Sequence, residues 1–315
     1  MTQGPFQPAP FHADLALGPE GGEAFWLTTS DGVRIRAGIW PVGQKGTVLL
    51  FPGRTEYVEK YGMAAADLRV RGYATVAMDW RGQGLADRLL PDRMVGHVAQ
   101  FQDYQRDVQA ALDLVKGVGL PEPFYLLSHS MGGAIALRAL LRGLPVKAAV
   151  FSAPMWGIAM AAWMRPLAQS IAQVSQWFGQ AHRYSPSTSD KSYVLEAEFG
   201  GNVLTTDPDM WRYMKRQVTE RPELVLAGPS LGWLSTALAE CRDLAMAPAP
   251  DYPALAAIGT AEKVVDVAPV HLRMAGWRGG RLEVFAGAEH EIPMETEAHR
   301  KRFYDLTAEL FEAHR

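Results

Sequence analysis

"FYLLSHSMGGAIALRALL", residues 124–141, starts as an apolar run and breaks at Ser128-His129-Ser130-Met131-Gly132-Gly133. It then continues as an apolar helical pattern. A buried strand that turns sharply into a helix places one residue at the corner, clear of the backbone, and here that residue is Ser130. The spacing is that of a G-x-S-x-G elbow, with Ser128 standing where the first glycine belongs. That upstream position needs a small side chain more than a positive φ. Serine therefore loosens the turn without preventing it, and Gly132 supplies the downstream small residue. The helix that follows points its amino terminus at Ser130, a partial positive charge where an oxyanion would form.

Outward from this corner, short apolar runs alternate with helical patterns. Strands are expected at 33–40 ("VRIRAGIW"), 46–52 ("GTVLLFP"), 73–79 ("YATVAMD"), 123–128 and 146–154 ("VKAAVFSAP"). Helices are expected from about Glu56 to Val70, from Gln100 to Lys116 and over 134–141. In the second of these, Phe101, Tyr104, Val108, Leu112 and Val115 share one face. The alternation stops after Pro154 and resumes with "PALAAIG" (253–259), a helical segment near 266–275, "GRLEVFAG" (280–287) and a last helix from Pro293 to about Ala313. The expected fold is α/β: a mostly parallel sheet with helices on both faces and a helical cap inserted after the sixth strand. The expected boundaries are an extended N-terminal arm at 1–22, a core of 23–153 with 250–315, and a cap at 154–249.

Bulk composition narrows the function. The 315 residues are 48% hydrophobic, enough for a large core, and a net charge of −3 offers nothing to nucleic acid. A single cysteine, Cys241, rules out an internal disulfide and suits a reducing compartment. The first twenty residues lack a basic segment followed by an apolar one, and no apolar run nears the roughly 18 residues of a membrane span. The expectation is a cytoplasmic protein with at most a transient, peripheral contact at the inner membrane, and no obligate protein partner.

A serine hydroxyl needs a base, an orienting acid and oxyanion donors. Of the eight histidines, His290 alone follows the carboxyl end of the last strand, in "FAGAEHEIP". The acid is expected in "LAAIGTAEKVVD" (255–266). Glu262, nearer the strand, is favoured over Asp266, which is placed to cap the next helix. The oxyanion donors are expected to be the backbone N–H groups of Met131 and of Arg54, the latter in the "PGRTEYVEKY" loop (52–61).

These residues, with "MDWRGQGLADRLL", "GHVAQFQDYQRDV", "GPSLGWL" and "GAEHEIPME", resemble the bacterial lysophospholipase and monoacylglycerol lipase branch of the α/β-hydrolases over most of the chain from about residue 30. The resemblance implies a Ser130–Glu262–His290 triad, a cap, and ester hydrolysis with no cofactor and no metal. Ser128, and Glu in place of the Asp of many relatives, are its two departures.

The expected substrate is a small-molecule ester or lysolipid, lysophospholipid first. Monoacylglycerol, a smaller carboxylic ester, and acyl transfer to another alcohol are the alternatives. A non-catalytic ligand-binding protein of the same fold is the rival, although it would have no need of all three triad residues. In the cap, Trp156, Met160, Trp163 and Trp177 lie on an apolar stripe of helical spacing that could line an acyl trough, while such stripes more often pack a core. Arg183, Lys191, Lys215, Arg216 and Arg221 could receive a phosphate headgroup, or simply sit in solvent.

Overall fold

The computed structural model describes residues 6–160, 178–186 and 188–315. Its organising feature is one nine-stranded sheet in the order β1-β2-β3-β5-β4-β6-β7-β8-β9. Strands β1 (Gln7–Ala9), β2 (Glu23–Thr28) and β3 (Arg34–Trp40) are antiparallel, and β3 also pairs antiparallel with β5 (Ala74–Asp79). From β5 the sheet runs parallel through β4 (Thr47–Phe51), β6 (Phe124–His129), β7 (Ala149–Ser152), β8 (Ala254–Gly259) and β9 (Gly280–Phe285).

The central parallel strands are apolar on both sides because both faces are covered. Alternate residues of β4 serve opposite faces. Leu49 and Phe51 join Val108, Leu112 and Ile135 in one core, and Val48 and Leu50 join Leu68, Phe303 and Phe311 in the other. The first core is covered by helices α3 (Tyr104–Gly117) and α4 (Met131–Leu141), the second by α2 (Gly62–Val70) and α9 (Glu297–Glu312).

Two sequence expectations change in detail. Among the described residues 6–22, the strand is Gln7–Ala9, which forms the sheet edge β1. A short helix α1 (Ala13–Ala16) then buries Leu15 and Ala16, with Ala16 in the core cluster that holds Tyr61. Counting that edge strand, the insertion follows the seventh strand rather than the sixth. Its described helices are α5 (Tyr193–Glu196), α6 (Pro208–Glu220) and α7 (Leu231–Met246); α8 (Ala268–Ala275) follows the return to the sheet at β8. No helix among the described residues is long and apolar enough to cross a membrane.

The topology locates the site. The chain leaves β4 toward β5 on one side and returns to β6 on the other, so the loops after β4 and β6 diverge over a crevice at the strands' carboxyl ends. Phe51 is in register with Ser128, which brings the loop from Pro52 beside the corner at Ser130. Gly259 is in register with Phe285, which delivers the loops carrying Glu262 and His290 side by side.

Candidate active site

Ser130 has φ 50° and ψ −119°, a left-handed conformation that a non-glycine residue adopts only under constraint. The constraint is visible in the backbone. The N–H of Ser130 donates to Ser152 O at 3.0 Å, and its carbonyl accepts from Gly133 and Met155, each at 2.8 Å. Gly132 is required by close approach, since a Cβ there would collide with the Phe51 carbonyl. Ser128 is fully buried in β6 and donates its hydroxyl to Val150 O at 3.2 Å, so the exchange at the upstream position is absorbed by a hydrogen bond across the sheet.

His290 Nδ1 lies 2.7 Å from Glu262 Oε2, with both side chains buried. The other oxygen of Glu262 accepts from the N–H groups of Val264 at 2.6 Å and Val265 at 3.1 Å, which fixes the carboxylate's orientation. Burial opposes ionisation of Glu262, but the His290 hydrogen bond and those N–H groups outweigh it and hold its pKa below the usual range. Asp266 instead accepts from the N–H of Ala268 at the start of α8. Of the two candidate acids, Glu262 is the one that meets His290.

Ser130, His290, Met131 and Arg54 all line one cavity of about 540 Å³. Among the described residues, no protein acceptor engages the N–H of Arg54 or of Met131. Met131 is the first residue of α4, where an N–H has no partner within the helix. The loop that carries Arg54 is held from three sides. Trp80 Nε1 donates to Pro52 O at 2.9 Å, Gln83 Nε2 donates to Gly53 O at 2.9 Å, and the N–H of Gly53 donates to Glu56.

Glu56 belongs to a buried ionic cluster that the sequence did not reveal. Lys60 Nζ donates to Glu56 at 2.8 Å and to Glu291 at 2.6 Å, and Tyr61 also donates to Glu56. The cluster ties the loop after β4 to the residue next to His290. The spacing Glu56 to Lys60 is that of an i,i+4 pair, which was the one available signal. Glu56, His129 and Glu291 are close enough to hold a cation, but the Lys60 ammonium already lies between the two carboxylates and ion-pairs with both.

The cap residues proposed to touch substrate are redistributed. Trp156 packs in the core between Phe151 and Trp277, at ring distances of 5.0 and 6.1 Å, and donates its indole N–H to Gly133 O at 3.1 Å. That packing makes it a buried support under the elbow helix. Neither Trp156 nor Met160 is among the described residues that line the cavity, and Trp163 and Trp177 lie outside the described residues. Met155, Met214, Val218, Leu226 and Trp233 form much of the apolar wall instead. Of the five basic cap positions, only Lys191 lines the cavity. Lys215 donates to Ala197 O, and Arg216 pairs with Glu220.

Residues 43–297 match the family model described as "Serine aminopeptidase, S33". The chain is 33% identical over 278 residues to lysophospholipase L2 of Escherichia coli (strain K12), covering 85% of this chain and 80% of that protein. A probable lysophospholipase L2 of Haemophilus influenzae is 28% identical over 256 residues, covering 81% of this chain and 80% of that protein. Among solved structures, a soluble variant of monoglyceride lipase from Saccharomyces cerevisiae aligns with a TM-score of 0.69 at 19% identity, covering 100% of this chain and 96% of that one. A carboxyl esterase from Bacillus coagulans aligns with a TM-score of 0.72 at 14% identity, covering 94% of this chain and 99% of that one. These likenesses between structures support the same fold.

Proposed function

Because the chain belongs to the S33 serine aminopeptidase family of α/β-hydrolases, in its lysophospholipase- and monoglyceride lipase-like branch, we propose that it cleaves the carboxylic ester of a single-chain lipid through an acyl-enzyme on Ser130. The observation that carries the reading is that His290, held at 2.7 Å by Glu262, lines the same cavity as Ser130.

Glu262 fixes the Nδ1–H tautomer of His290 and leaves Nε2 to take the Ser130 proton. The serine oxygen attacks the ester carbonyl, and the oxyanion is received by the N–H groups of Arg54 and Met131 and by the amino end of α4. Protonated His290 then delivers its proton to the departing alcohol. Water, deprotonated by the same nitrogen, hydrolyses the acyl-enzyme. Neither metal nor cofactor is needed for these steps.

The substrate class rests on the cavity's apolar wall and on the relatives' names. A buried acyl chain gains about 0.8 kcal/mol per methylene, which favours a long-chain ester over a short one. Lysophospholipid is the first choice and monoacylglycerol the second, supported by the lysophospholipase L2 and monoglyceride lipase relatives. Exposed Leu195 and Phe199, close in sequence to the lining residues Tyr193 and Val203, support a transient contact with a lipid surface.

A fluorophosphonate probe followed by peptide mapping tests the nucleophile, and a panel of esters varied in chain length and headgroup tests the substrate. Labelling confined to Ser130, lost in Ser130→Ala together with turnover, is expected. Labelling elsewhere, or turnover retained by Ser130→Ala, overturns the mechanism. Short acyl esters far outpacing long-chain lysolipids overturn the substrate.

A further inference from the structure

Three basic residues other than histidine are among the described residues that line the cavity, and they differ in how they are neutralised. Lys60 sits between Glu56 and Glu291, and exposed Lys191 lies 3.3 Å from Glu196. Arg54 has no carboxylate within ion-pair range among the described residues. Its guanidinium donates from one terminal nitrogen to Ala227 O at 2.7 Å and lies 5.6 Å from the centre of the Trp233 ring. Gly96 makes room for it, since a Cβ there would lie 3.1 Å from that nitrogen.

A cation withdrawn from water without a counter-charge is costly. Arg54 is half-buried, its pKa is lowered by burial to about 10, and the group stays charged at neutral pH and bears part of that cost. A guanidinium has five N–H donors in a rigid fork, and the Ala227 carbonyl uses only part of that capacity. What is held in place is half of an ion pair, with the geometry that suits two oxygens of one phosphate.

We propose that the Arg54 side chain is the phosphate subsite of this cavity, binding the phosphate that follows the glycerol of a lysophospholipid. The inference rests on reading the Ser130 cavity as a lipid-ester site. Covalent arithmetic supports it. In a 1-acyl lysophospholipid the same number of bonds separates the ester carbonyl carbon from the phosphorus as separates the Arg54 backbone nitrogen from its guanidinium carbon. A substrate whose carbonyl oxygen meets the Arg54 N–H can therefore bring its phosphate to the same residue's fork when its glycerol runs alongside that side chain. One residue would read both the reacting ester and the group that distinguishes a lysophospholipid from a monoacylglycerol.

The test uses binding, with Ser130→Ala as the background so that no ligand is consumed. Isothermal titration compares lauroyl lysophosphatidic acid, monolauroylglycerol and inorganic phosphate, the lipids kept below their micellar concentrations. With Arg54 intact, the lysolipid is expected to bind roughly 10- to 100-fold more tightly than the monoacylglycerol. Arg54→Gln should reduce that preference to within a few-fold, and Arg54→Lys should leave it intermediate, because an ammonium keeps the charge and loses the fork.

The proposal is overturned if the preference is missing with Arg54 intact, if it survives Arg54→Gln, or if inorganic phosphate binds as tightly as the lysolipid. Should Arg54→Gln fail to fold, Arg54→Lys and Gly96→Ala, which presses a methyl group on the guanidinium, carry the same comparison. An Arg54-dependent preference in a protein that hydrolyses neither lipid would sink the hydrolase reading and leave the subsite standing.

Discussion

The ring of His129 lies 4.7 Å from that of His290, centre to centre, and among the described residues neither of its nitrogens has a hydrogen-bond partner. The nearest carboxylate oxygen, on Glu56, is 3.5 Å from its Nε2. Two adjacent histidines are thus held in contrasting ways. His290 is oriented by a carboxylate, while His129 is packed as an apolar ring behind it.

Burial pulls the His129 pKa down from its ordinary 6.5 to about 3, against the attraction of Glu56. The unfolded chain takes up a proton below about pH 6.5 that the folded chain refuses. Stability is therefore fully present above that pH and falls as the pH drops toward 3, by up to ~1.4 kcal/mol per unit. His129→Gln should flatten this slope between pH 6.5 and 5, measured by urea unfolding at several pH values. Glu56, whose pKa is also lowered, adds a loss of the same sign only below its ordinary 4.5. An equal slope in wild type and variant would mean that folded His129 is protonated by pH 5.

Glu262→Gln keeps an oxygen for the Val264 and Val265 N–H groups but turns an NH2 group toward His290 Nδ1. The imidazole is then held in the wrong tautomer. A loss of about 10³–10⁴ in kcat is expected, with little change in unfolding midpoint. Steady-state kinetics within tenfold of wild type would remove Glu262 from the proposed triad.

Removing the Lys60 ammonium leaves Glu56 and Glu291 buried and facing one another. Lys60→Met should cost about 3–5 kcal/mol in denaturant unfolding. Because Glu56 also holds the Gly53 N–H, kcat should fall more than KM rises. A variant as stable as wild type would show the cluster to be dispensable.

The backbone at Ser130 carries strain that its side chain cannot relieve. Ser130→Gly and Ser130→Ala both remove the proposed nucleophile, but only glycine relaxes a φ of 50°. The glycine variant should unfold about 1 kcal/mol later than the alanine variant, with no turnover in either. Equal stabilities would mean that the corner is relaxed in solution.

The order of strands and helices was legible because apolar runs buried on both faces, and helical periodicity such as Phe101 to Val115, are local patterns. Glu262 and His290 were legible for a related reason, since each follows a strand closely enough for a loop to bring it to the strand ends. Trp156 was not, because an apolar stripe has the same spacing whether it faces a ligand or the core. The edge-on contact with Phe151 and the stacking on Trp277 settled that. The N-terminal residues were read by composition alone, which does not reveal an edge strand supplied by pairing with β2.

The sequence by itself determined which side chains could perform the chemistry and which strands could carry them, because both follow from residue type and short-range spacing. Tertiary structure alone decided that Lys60 bridges Glu56 to Glu291, 231 positions from the lysine, and that Arg54 lies against Ala227 and Trp233 with no carboxylate partner among the described residues. Charge pairing is a property of distances through space, and a chain's order does not fix which charges are left without a partner.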